Sequence, residues 1–132
     1  NDKWYGFDDG HYSAFRLIEI MAQMNKSLSS IFSSLPKTFS TPEINIEVEE
    51  SQKFRIVHDF IENAEFVGGK KITIDGLRVN FKDGWGLLRA SNTTPKLVLR
   101  FEAQTSERLI EIQNSFLTQL KQIEESIEIK LS

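Results

Sequence analysis

The spacing of apolar positions changes several times along the chain, and each change marks an element. Ala14, Phe15, Ile18, Met21 and Ala22 recur at helical spacing, with Leu17 and Met24 widening the stripe. This predicts a helix after the polar, glycine-punctuated residues 7–10. Asp8 or Asp9 suits its N-cap, because a short carboxylate accepts from the first free N–H groups of a helix. A second short helix is predicted over Leu28, Ile31, Phe32 and Leu35. Ile44, Ile46 and Val48 then alternate with Asn45 and Glu47, the pattern of a strand with one buried face. Phe54, Val57, Ile61 and Ala64 return to helical spacing until Gly68-Gly69 breaks it.

From Ile72 the period is two. Ile72 and Ile74 lead into Asp75-Gly76, and Leu77, Val79 and Phe81 follow. Such a pair between alternating runs signals a hairpin, since its tight turn needs residues that tolerate positive φ. Asp83-Gly84 marks a second turn, residues 85–91 a further strand, residues 92–95 a tight loop, and Leu97, Leu99, Phe101 and Ala103 a fourth alternation. Leu109, Ile112, Phe116, Leu117 and Leu120 form the stripe of a closing amphipathic helix. The tail 127–132 alternates weakly and receives no assignment. The expected fold class is α+β: a mainly antiparallel four-stranded sheet with helices packed on one face (β-α-β-β-β-α), preceded by a short helical segment.

Residues 33–42 hold two of the three prolines together with several Ser and Thr residues. Proline stops a helix and small polar residues anchor no core. Composition fits a linker between packing units and a surface loop equally. The linker reading divides the chain into a helical segment at 1–35, a hinge at 36–42 and a second domain at 43–132.

Composition narrows the function classes. A chain of 132 residues, 39% hydrophobic, can bury a core without a metal or disulfide staple. It has no cysteine, which removes thiolate chemistry and fits a reducing compartment; a cytoplasmic setting is expected. The net charge of −3 is spread without a basic run, so no nucleic-acid partner is expected. No apolar stretch approaches ~20 residues, so no membrane span is expected. The N-terminus, Asn1-Asp2-Lys3-Trp4-Tyr5-Gly6, lacks an initiator Met and the features of a signal peptide, as in a fragment of a longer protein or a processed chain.

The run Arg89-Ala90-Ser91-Asn92-Thr93-Thr94-Pro95 carries the most chemistry. Strand alternation sends Arg89 and Ser91 to one face and Leu88 and Ala90 to the other. A guanidinium offers paired donors that match two phosphate oxygens. Hydroxyls, an amide and the backbone N–H groups of a tight turn add further donors, and no carboxylate lies within the loop. The same composition also makes an ordinary turn.

Other chemically suggestive residues have simpler readings. Asp8-Asp9 fits a helix cap better than a metal pair or two catalytic carboxylates. His11 and His58 have no partner at ligand spacing. Arg100 either extends a positive field toward the loop or is a solvated sheet residue. Trp85 reads as a packing residue or a stacking surface for substrate, and Glu49-Glu50 and Glu124-Glu125 as solvated ends of elements.

Three stretches of the second half resemble the last domain of bacterial phosphomannomutase/phosphoglucomutase enzymes, the phosphohexomutase family. They are Thr73-Ile74-Asp75-Gly76-Leu77-Arg78-Val79, the Gly84-Trp85-Gly86 turn, and the run from Leu88 through Pro95 to Ala103. Trp4-Tyr5-Gly6-Phe7-Asp8-Asp9-Gly10, continuing through Tyr12-Ser13-Ala14 to Arg16-Leu17, resembles the end of that family's third domain. Ser40-Thr41-Pro42-Glu43-Ile44-Asn45 resembles the start of the fourth. The resemblance implies a parent isomerase that interconverts hexose 1-phosphate and hexose 6-phosphate, of mannose or glucose, through a sugar bisphosphate. In the family a phosphoserine donates the phosphoryl group, Mg²⁺ assists, and four domains ring one cleft. The resemblance assigns phosphate binding to Arg89, Ser91, Asn92 and Thr93, with Thr94 as helper. Asn92 favours this branch over the amino-sugar branches, which usually carry glycine there. The expected partners are a phosphosugar and the remaining domains of the parent chain. The phosphoserine, metal and sugar loops of the family have no counterpart here. The expectation is therefore no catalytic residue, no bound metal and no mutase activity in this stretch alone. The alternatives are a non-catalytic phosphate- or phosphosugar-binding module and a structural interaction domain.

Overall fold

The computed structural model describes residues 4–128. The chain divides into two compact units, residues 1–36 and 37–132. In the first unit, α1 (Gly10–Met24) starts at Asp9, whose Oδ1 accepts from the Tyr12 N–H at 2.9 Å. It ends at Asn25, which takes the left-handed φ of 48° that a short polar side chain tolerates. After it, α2 (Leu28–Ser33) is capped by the Ser27 hydroxyl. Neither helix contains a buried residue.

The second unit is a sheet backed by two helices. Its elements are β1 (Phe39–Ser40), β2 (Ile44–Glu47), α3 (Lys53–Asn63), β3 (Lys70–Ile72), β4 (Leu77–Asn80), β5 (Gly84–Ala90), β6 (Lys96–Ala103) and α4 (Ser106–Ile123). Among the described residues the sheet has six strands rather than the four expected, and every pairing is antiparallel. The strand order is β1-β6-β5-β4-β3, and β2 also pairs with β6.

Two short strands account for the difference. Phe39 and Ser40 pair with Ala103 and Glu102, and Ile44–Glu47 with Leu99–Lys96, so β1 and β2 lie in succession along β6. Thr41 continues the edge between them: its N–H donates to the Phe101 carbonyl at 3.0 Å, and its Oγ1 accepts from the Phe101 N–H at 3.2 Å. Pro42 interrupts the edge where a ladder donor is missing. The other strand beyond that count is β3, formed by the run that Ile72 and Ile74 mark in the sequence. Its pairing ends at Ile72↔Arg78, so the hairpin loop is wider than a two-residue turn. Gly76 takes positive φ (73°) and Asp75 does not, and Ile74, expected in the strand, is 93% exposed.

The core lies between the sheet and its two helices. Leu77, Val79, Leu88, Leu97, Leu99 and Phe101 of the strands join Ile56 and Phe60 of α3 and Ile112, Phe116 and Leu120 of α4 in one buried cluster. Phe116 packs at 5.3 Å from Phe101 and 5.7 Å from Phe60, which brings both helices to the same face. Ile127 of the tail is buried in this cluster, while residues 129–132 lie outside the described residues. Arg78, Leu87, Arg89, Val98 and Arg100 alternate with the core positions and so project to the helix-free face.

Candidate functional site

The chemistry gathers where β5 turns into β6. Leu88 and Ala90 are buried in the core, so the side chain between them, Arg89, faces away from the helices. Arg89 is about one-third exposed, and its Nη1 lies 3.7 Å from Asp75 Oδ2, itself largely exposed. That is a loose ion pair, and it leaves the guanidinium free to take another acceptor.

Ser91 closes the loop. Its N–H donates to the Lys96 carbonyl at 2.9 Å. Its Oγ accepts from Thr94 Oγ1 at 2.8 Å, from the Thr94 N–H at 3.2 Å and from the Thr93 N–H at 3.4 Å. Three donors thus converge on one oxygen, the arrangement of a serine turn. Asn92, Thr93 and Thr94 are exposed, and the Asn92 side chain has no partner among the described residues. The structure therefore brings Ser91, Thr93 and Thr94 together directly, with Arg89 two residues back along the strand. An anionic oxygen is a stronger acceptor than a neutral hydroxyl. A phosphate oxygen at the loop can take the donors that now meet at Ser91 Oγ.

The matched family model is the phosphoglucomutase/phosphomannomutase C-terminal domain, over residues 43–119. The chain belongs to this family. Phosphomannomutase/phosphoglucomutase of Pseudomonas aeruginosa is 49% identical over 97% of this chain and 28% of that protein. Phosphoglucomutase of Neisseria meningitidis is 50% identical over 87% of this chain and 25% of that protein. A crystal structure of a phosphoglucomutase/phosphomannomutase family protein from Burkholderia thailandensis matches with a TM-score of 0.82 and 40% identity. It covers 99% of this chain and 27% of that one. The chain thus spans little more than a quarter of the length of these relatives.

Within this phosphohexomutase domain the other suggestive residues have structural work. Asp9 caps α1. His58 Nδ1 is 3.5 Å from Asp59 Oδ1. Among the described residues no group of three or more His, Asp or Glu side chains could hold a metal ion. The Arg78 guanidinium stacks over the Trp85 ring at 3.9 Å and its Nε donates to Asn80 Oδ1 at 2.8 Å, so one face of Trp85 is occupied. Arg100 is exposed and has no partner among the described residues. Among the described residues no helix is long and apolar enough to cross a membrane.

Two acidic residues read as solvated ends act otherwise. Glu124 Oε2 accepts from Arg55 Nη2 at 2.7 Å, joining the end of α4 to α3. Hydrogen bonds from Ser126 and from Arg55 hold its carboxyl below the ordinary glutamate value. Glu50 Oε1 lies 2.7 Å from Nζ of Lys53, the one charged side chain buried among the described residues. Lys53 Nζ also donates to the Thr94 carbonyl of the loop at 3.3 Å. Nothing in the sequence singled it out, because a lysine near a helix start reads as solvated surface.

Proposed function

We propose that residues 89–94 hold a phosphate group of a hexose phosphate for a parent phosphohexomutase. That enzyme interconverts the 1- and 6-phosphates of mannose or glucose through a bisphosphate intermediate. The observation that supports this most directly is the convergence of the Thr93 and Thr94 N–H groups and the Thr94 hydroxyl on Ser91 Oγ, two residues along the chain from Arg89. Asn92 adds an unpartnered amide. A bisphosphate that turns over must be gripped at either end, and a trap of donors reads phosphate without reading the sugar.

Chemistry on the phosphoryl group belongs to other parts of the parent, as does its Mg²⁺. Binding energy gathered at the loop favours closure of the cleft, which excludes water from a reactive phosphoryl group. The hinge for that closure is the linker 36–42, narrowed to residues 36–38 because Phe39, Ser40 and Thr41 are hydrogen-bonded along β6. Residues 1–35 are the end of the preceding domain. The exposure of Phe7, Phe15, Ile18 and Phe32 supports this, as apolar residues awaiting cover from the rest of that domain.

The test is titration of the 132-residue chain with inorganic phosphate and hexose 1-phosphate, followed by amide NMR. Shifts centred on residues 90–94 that are lost in Arg89→Ala are expected. Silence of these amides at millimolar phosphate would remove the assignment.

A further inference from the structure

Lys53 breaks three local rules at once. It is 2% exposed, although a buried ammonium loses its hydration. It opens α3, although the positive end of the helix dipole disfavours a cation there. It also fixes a side chain rich in rotamers. What it gains is an ion pair with Glu50 at 2.7 Å, the Phe54 ring at 5.1 Å, and the Thr94 carbonyl at 3.3 Å, reached across 41 residues. The first two partners are its own neighbours in sequence. Only the third explains why the ammonium is drawn inward.

That carbonyl sits at a sensitive place. Thr94 O also accepts from the Lys96 N–H at 2.8 Å, and the next carbonyl, Pro95 O, accepts from the Val48 N–H at 3.0 Å. Val48, just after β2, and Lys53, the first residue of α3, therefore hold two consecutive carbonyls at the end of the loop. The Thr94–Pro95 peptide has no N–H of its own, so its only polar group is this oxygen. A carbonyl free to turn into the loop would repel an anion and would release the Thr94 N–H and hydroxyl from their common focus.

We propose that Lys53 is a positioning residue for phosphate binding: it fixes the Thr94 carbonyl so that the donors of Thr93 and Thr94 stay aimed at one point. This rests on the reading of residues 89–94 as the phosphate site. The ammonium acts through the loop and need not touch the ligand.

The experiment is titration of the 132-residue chain with inorganic phosphate, read at the amides of Thr93 and Thr94, for wild type, Lys53→Met, Lys53→Arg, Glu50→Gln and Arg89→Ala. Lys53→Met is expected to weaken binding by about tenfold or more, the value of one charge-assisted hydrogen bond. Lys53→Arg, which keeps charge and donors, should recover most of it, which a merely space-filling role would not require. Glu50→Gln loosens the ammonium without removing it and should weaken binding by about threefold, as an exposed partner's loss allows; it decides the matter if Lys53→Met does not fold. Wild-type affinity in Lys53→Met, or in Glu50→Gln where Lys53→Met is unfolded, overturns the role of Lys53 while Arg89→Ala still reports a working site. Absence of loop shifts in the wild type overturns the site itself, and the role of Lys53 with it.

Discussion

Arg89 and Asp75 face each other at 3.7 Å, across the junction between the β3–β4 turn and the strand that leads into residues 91–95. The separation is too long for a hydrogen bond, and the Asp75 carboxylate is well solvated. Asp75 therefore acts as a weak resident counter-ion for a guanidinium that a dianion would bind better. Asp75→Asn removes the competitor and leaves Arg89 in place. Affinity for inorganic phosphate should rise by about two- to fivefold at low salt, the range an exposed ion pair supports, and the gain should shrink as salt screens it. Isothermal titration at two ionic strengths checks this, and lower affinity in the variant would mean that Asp75 orients the arginine instead.

Arg89→Ala should cost about 2–4 kcal/mol of phosphosugar binding in the full-length parent, the range for a sheltered charge-assisted contact. Steady-state kinetics of the variant checks this. An unchanged Michaelis constant together with an unchanged turnover would remove Arg89 from the site.

Two glycines separate stability from site geometry. Gly76 has a φ of 73°, and a Cβ there would lie 2.3 Å from the Leu88 carbonyl oxygen and 2.7 Å from the Arg89 Cα. Gly76→Ala should lose about 2–4 kcal/mol from left-handed strain plus collision with backbone, and should also shift Arg89. Gly86 lies under Phe116, and a Cβ would meet its ring at 2.5 Å. Gly86→Ala should lose about 1–3 kcal/mol through overpacking and leave phosphate affinity unchanged. Denaturant melts beside phosphate titrations distinguish the two.

The acid limb of stability should depend on Glu124. Its carboxyl sits below the ordinary glutamate value in the fold, so it binds a proton more readily when the chain is unfolded. Its contribution is present above the unfolded value and is lost as pH falls through the depressed folded one. Stability measured between about pH 6 and pH 3 should fall less steeply in Glu124→Gln than in the wild type. An identical slope would show that the contacts of the Glu124 carboxylate with Ser126 and Arg55 make no difference to folding.

Hydrogen exchange should divide at the linker. Helices α1 and α2 contain no buried residue, whereas α4 buries Ile112, Phe116, Leu117 and Leu120. Amides of residues 10–33 should exchange by local opening in this chain, and those of β5, β6 and α4 only on unfolding of the sheet domain. Uniform protection from residue 20 through residue 60 would argue against a hinge there.

Most of the second unit was legible because its signals are local. The period-two runs at Leu77, Val79 and Leu97, Leu99, Phe101 became β4 and β6, and the stripe from Leu109 to Leu120 became α4. The Asp9 cap was legible for the same reason, since the cap and the Tyr12 N–H that donates to it lie three residues apart. The two-residue hairpin at Asp75-Gly76 was not, because ladder register is set by facing strands and not by the turn pair alone. Phe39 and Ser40, flanked by prolines and small polar residues, gave no strand signal; they pair because β6 offers a free edge beside them.

The order of residues by itself determined which positions face inward and where helices start. Those features depend on separations of two to four residues, which steric alternation and helical pitch convert directly into direction. Only the tertiary structure decided that a second edge forms along β6, that Asp75 stands opposite Arg89, and that a buried lysine holds a carbonyl 41 residues away. Contacts of that range follow from how the sheet and helices close over one core. No periodicity in the sequence records them, because the residues become neighbours only when the chain between them is folded.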